Sequence, residues 1–106
     1  MKAPAHLRAA TQRWFTEMSG LYAMEPQHVE LLVLAAEARD RAEQARARIA
    51  KDGAYVEGRY GLRAHPAIAV ERDSRLAFAR LVRELGLEDD QHGGSPRPPG
   101  IAGRYN

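Results

Sequence analysis

Between Gly53 and Leu87 the chain changes character twice, and both changes restrict what it can fold into. It reads Gly-Ala-Tyr-Val-Glu-Gly-Arg-Tyr-Gly-Leu-Arg-Ala-His-Pro, then an amphipathic segment that closes on Leu85-Gly86-Leu87. Tyr55 and Val56 favour a strand, and Tyr60 with Leu62 alternates on a return. Residues 54–63 are therefore expected to form a small hairpin that turns at Glu57-Gly58. A lone hairpin is marginal in water, so it must pack on something. His65-Pro66 then opens a helix, because proline suits a first helical position, where its missing N–H would have no partner anyway. That helix is expected over 66–85, with Val70, Ala77, Phe78, Leu81, Val82 and Leu85 as its buried stripe and Gly86 as its cap.

The sequence before Gly53 is helical in pattern. Leu7, Ala10, Thr11, Trp14, Met18 and Leu21 recur at helical spacing, and Phe15 widens that face. This predicts a helix over 6–19, ended by Ser19-Gly20, with Trp14 as a core anchor. A second helix is expected from Pro26 to about Asp52. Its first part, Val29 to Ala36, is apolar almost all round, which implies burial on several sides. Along it Leu31, Ala35, Ala38, Ala42, Ala45 and Ile49 alternate steps of four and three, which is a heptad seam. Alanine at most seam positions permits close helix approach. The partner is either another helix of the chain or a neighbouring subunit. A chain of 106 residues buries a modest share of its surface, so the six seam residues are also the candidate oligomer interface.

The expected fold is thus mainly α: three helices, a long central one carrying the seam, a small β-hairpin before the last, and a flexible C-terminal tail. The tail begins at Glu88. Gly93, Gly94, Pro96, Pro98, Pro99, Gly100 and Gly103 argue against regular structure there. Ile101, Arg104 and Tyr105 sit at its far end as a candidate docking motif.

Chemistry is constrained mostly by exclusion. The chain has no cysteine, which rules out a disulfide framework and a thiolate zinc site. His6, His28, His65 and His92 lack metal-ligand spacing, and no phosphate-binding loop or nucleophile elbow is present. No catalytic residue, metal or cofactor is expected. No apolar run is long enough for a bilayer and no signal-peptide pattern is seen, so a soluble cytoplasmic protein without membrane contact is expected. Formal net charge is +2 with pI near 9.3. Arginine dominates the basic residues, and its fixed fork of donors suits phosphates. Arg39, Arg46, Arg63, Arg72, Arg80 and Arg83 are the candidate DNA contacts.

Trp14, the Pro26 entry, Gly53, Gly61, Arg63, His65-Pro66 and Leu85-Gly86-Leu87 fall in an order that resembles the small terminase subunits of tailed bacteriophages. The resemblance covers about Leu7 to Leu87. It implies a non-enzymatic component of a genome-packaging motor, present in the cytoplasm of a bacterial host. Its partners would be double-stranded DNA, the large terminase subunit that carries the ATPase and nuclease, and further copies of itself in a ring of about nine. Residues 1–87 would then be the oligomerisation and DNA-engaging domain, and 88–106 a docking segment for the large subunit. Two departures stand out: no separate helix-turn-helix domain can be delimited, and Glu88-Asp89-Asp90 follows Leu87 where the family often has a proline and a basic residue. A short member of this kind also fits a gene transfer agent. The competing reading is a helical adaptor or scaffold module that oligomerises without touching DNA.

Overall fold

The computed structural model describes residues 1–87. The elements are α1 (Ala9–Leu21), α2 (Pro26–Asp52), β1 (Tyr55–Gly58), β2 (Gly61–Ala64) and α3 (Pro66–Leu85). The mainly helical fold with a hairpin before the last helix is the expected one. Residues 88–106, with the expected flexible tail and Ile101, Arg104 and Tyr105, lie outside the described residues.

α2 and α3 form an antiparallel pair. Two cross-helix contacts fix the register: Asp52 with His65 at the hairpin end, and Arg46 with Glu71 farther along. The alanine seam lies within this pair. Ala35, Ala38, Ala42 and Ala45 are all 5% exposed or less within the single chain. Leu31 and Ile49 are half-buried. Within the single chain the seam is therefore an intramolecular contact. Its alanines are already covered by the chain's own packing, so a second subunit would have to displace that packing to reach them.

The facing stripe of α3 also differs from the expected one. Val70 and Ala77 are exposed, Phe78, Leu81 and Val82 are half-buried, and Leu85 is fully buried. Ser74 is buried instead, at 5% exposure. A small side chain at that level matches the alanines of α2, because helices that approach closely have no room for larger ones. The apolar length of α3 hid this from a count of hydrophobic residues.

α1 covers one flank of the pair. Leu7, Phe15, Tyr22, Leu32, Ala36, Leu85 and Leu87 form the main core cluster, with Trp14, Met18 and Val82 packed against it. Trp14 meets Phe78 with ring centroids 5.3 Å apart and tilted, an arrangement aromatic pairs favour. α1 runs past Ser19-Gly20 to Leu21, which corrects the expected end. Gly20 stays helical, and Tyr22 turns the chain into extended backbone, its N–H donating to Met18 O.

Polar groups lock α1 in place. Its N-cap, Arg8, supplies no side-chain cap. Asp40 of α2 does so from across the interface: it accepts from the Arg8 N–H at 2.9 Å and from the Thr11 hydroxyl. A carboxylate at a helix N-terminus satisfies orphan donors and complements the helix dipole. The N-terminus of α2 carries its own reciprocal cap. The Glu25 side chain accepts from the His28 backbone, and His28 Nδ1 accepts from the Glu25 N–H at 3.1 Å.

Ala42→Glu should unfold the chain rather than merely dissociate an assembly. It places an unpaired carboxylate and extra volume at a site 4% exposed, which costs on the order of 3–5 kcal/mol. Urea denaturation should show this loss, and Ala47→Glu, on the exposed side of the same helix, should show almost none.

Candidate nucleic-acid interface

The six arginines singled out by sequence separate into two groups. Arg39 is half-buried and donates to Thr11 Oγ1 at 2.9 Å, so it belongs to the Asp40 lock. Arg46 is held by Glu43 at 3.1 Å and Glu71 at 3.0 Å. Arg72 contacts Asp73 at 3.3 Å, an exposed neighbour that leaves it free to reorient. Arg63, Arg80 and Arg83 are exposed, and none makes an ion pair among the described residues.

Arg72, Leu76, Arg80 and Arg83 follow one another at steps of four, four and three along α3. Helical spacing places them on one stripe about 16 Å long. That stripe points away from α2, since Ser74 and Leu85 are buried on the other side. Leu76, at its middle, is 54% exposed. A basic stripe of this length spans several phosphates of a duplex strand, and its leucine can lie against sugar rings.

The hairpin presents a second basic surface. The pairing runs Tyr55 with Ala64, Val56 with Arg63, Glu57 with Leu62 and Gly58 with Gly61. The turn therefore falls at Arg59-Tyr60, not at Glu57-Gly58. Arg59 and Tyr60 keep negative φ, and Gly61 takes the positive value of 116° that closes the loop. This lengthens the ribbon and puts an arginine and a tyrosine at its tip. Sequence reasoning missed both because it placed the turn two residues early. The spacing Gly58-x-x-Gly61 was the available signal. The Arg59 guanidinium lies 5.7 Å from the centre of the Tyr60 ring.

At the base of the hairpin, His65 joins three elements. Its Nδ1 accepts from the Ala67 N–H at 2.9 Å and so caps α3. The other nitrogen, Nε2, therefore carries the proton and donates to Asp52 Oδ2 at 2.9 Å. Its backbone N–H closes the hairpin on Ala54 O at 2.8 Å. The hydrogen bond from His65, and then that from Arg48, hold the Asp52 carboxyl below its ordinary pKa. Glu71 is lowered likewise, first by the Arg46 hydrogen bond and also by Arg75. Among the described residues, no group of three or more acidic, histidine or cysteine side chains could hold a metal. No helix of the described residues is long and apolar enough to cross a membrane.

A helical pair with a buried small-residue seam, a polar-locked third helix and arginines left unpaired on the outside defines a small, basic helical module. The chain belongs to the phage terminase small-subunit family, whose model, described as phage terminase, small subunit, matches residues 9–95. Its role accordingly lies in phage DNA packaging. No curated protein matches the chain, and no solved structure does.

The depressed Asp52 pKa gives a pH dependence of known sign. A carboxylate with a lowered folded pKa stabilises the fold above its unfolded pKa, and that contribution is lost as pH falls through the folded value. Thermal melts should therefore weaken below about pH 4. Asp52→Asn should melt lower than the parent at neutral pH and show a shallower decline in acid.

Proposed function

We propose that this chain engages double-stranded DNA through backbone phosphates and assembles into a ring that presents the DNA to the large terminase subunit. The observation that carries the reading is the exposed arginine stripe of α3 around Leu76, in which Arg80 and Arg83 have no ion pair among the described residues and Arg72 pairs with its exposed neighbour Asp73. Arg63 supplements it. Arg39 and Arg46 are less available, since each is tied within the chain, Arg39 to Thr11 and Arg46 to Glu71. Phosphate contacts position a protein without reading sequence, so binding is salt-dependent and weakly sequence-specific.

Assembly uses a different surface from the alanine seam. Leu34 on α2 is 51% exposed, and Val70 on α3 is 42% exposed. By helical spacing these residues and Ala77 fall on the flank of the α2–α3 pair opposite to α1. These exposed apolar residues share the flank with Arg41 and Arg48, one and two heptads beyond Leu34, and a head-to-tail contact between copies closes into a ring when its rotation permits. Light scattering at micromolar concentration tests this part, and a monomer would overturn it. Leu34→Glu should dissociate the ring and leave the fold intact.

The segment 88–106 docks the large subunit through Ile101, Arg104 and Tyr105. The family match ends at residue 95, so these three lie beyond it. Seven glycines and prolines lie between Glu88 and Tyr105, a composition suited to a short linear docking motif. The chain itself supplies no catalysis in this reading.

Two measurements test the DNA and docking parts. Replacing Arg80 and Arg83 together by alanine should weaken duplex binding roughly fiftyfold at moderate salt and lower the slope of log affinity against log salt by about two. Equal affinity at low and high salt for the parent would overturn the electrostatic reading. No duplex binding even at low salt would leave a helical adaptor that assembles without DNA. Deleting residues 96–106 should leave assembly and DNA binding intact and abolish co-purification with the large subunit. Undiminished co-purification would remove the docking role.

A further inference from the structure

The hairpin should not stand as it does if it served the fold alone. Its second strand is exposed throughout. Tyr55 is 67% exposed, Leu62 71% and Tyr60 93%. Only Val56 and Gly58 are half-buried on the ribbon. The requirement that a two-stranded hairpin pack on something is met at its base, by the His65 clasp, and not along its length.

The tip is organised. Gly58 lacks a side chain where one would collide: a Cβ there would lie 2.8 Å from Arg63 Cδ. The Arg63 stem thus crosses Gly58, and because Arg63 pairs with Val56, this path carries its side chain towards the tip. Arg59 lies at the tip itself, its guanidinium over the Tyr60 ring. Neither arginine has an ion-pair partner among the described residues, and Glu57 is the ribbon's single acid.

We infer that the hairpin is a DNA-contacting ribbon whose tip enters a groove of the duplex, with Arg59 and Arg63 on phosphates at its two sides and Tyr60 inside. The partner is chosen by charge: two unpaired guanidiniums flank an exposed aromatic, and a polyanion with flat apolar surfaces fits both. A major groove about 12 Å wide admits a two-stranded ribbon, and an aromatic ring carried into it can lie against base edges and sugars. The inference rests on the reading that the chain engages DNA. It adds a second contact element, distinct from the α3 stripe.

The test is anisotropy of a fluorescein-labelled duplex titrated with the full chain across a salt series. Arg59→Ala and Arg63→Ala should each weaken binding by roughly tenfold and lower the salt slope by about one. Tyr60→Ala should weaken it by about fivefold or more at unchanged slope through lost apolar contact, and Tyr60→Phe should restore most of the loss. Glu57→Gln should tighten binding. If the parent binds and the Arg80/Arg83 double variant binds less, but the hairpin variants match the parent, the ribbon is no DNA contact and the general reading stands. If the parent does not bind the duplex at low salt, both fall. If light scattering shows that Tyr60→Ala dissociates the assembly, the tip joins subunits, and the inference is overturned.

Discussion

The close approach of α2 and α3 is the constraint from which the rest follows. A seam of alanines facing Ser74 leaves space for backbone and little else. Side chains that would normally fill a core are therefore pushed to the flanks of the pair. One flank is closed by α1 through Phe15, Trp14 and Leu7. The other keeps Leu34, Val70 and Ala77 uncovered. A thin two-helix layer cannot bury apolar residues on both sides with one extra helix. The molecule is thus sided by construction, with one flank of the pair left uncovered.

Charge is partitioned on the same plan. Arginines whose spacing brings them against another helix are consumed there: Arg46 by Glu71, and Arg39 by the Thr11–Asp40 lock. Those on the outside of α3 and on the ribbon have no such neighbours. With a net charge of only +2, whole-chain electrostatics would attract DNA weakly. Pairing inside the fold concentrates the excess where it remains exposed. What matters for a phosphate partner is the local density of unpaired guanidinium groups.

Much of this was legible in the sequence where a residue fixes backbone geometry. Pro26, His65-Pro66 and Gly86 set helix ends correctly because proline fixes φ and glycine takes the left-handed conformation without strain, whatever surrounds them. Gly20 misled, since a helix tolerates glycine when its neighbours are well packed, as Met18 and Leu21 are. The seam was visible, but periodicity cannot tell whether the covering helix lies in the same chain. Nor can it show which arginines are neutralised. Arg46 and Glu71 are 25 positions apart, and only the antiparallel register brings them together. The ribbon's tip was missed for a similar reason: the turn is set by the pairing of Gly58 with Gly61, which is a property of two strands and not of one.

The clasp at the foot of the hairpin has an evolutionary consequence. Asp52 and His65 are joined directly, so the ends of α2 and α3 are tied to each other without help from the twelve residues between them. The intervening segment can lengthen, shorten or change composition while the helical pair keeps its register. An element insulated in this way is open to rapid diversification. It is the part of this chain whose sequence can change at the least cost to folding.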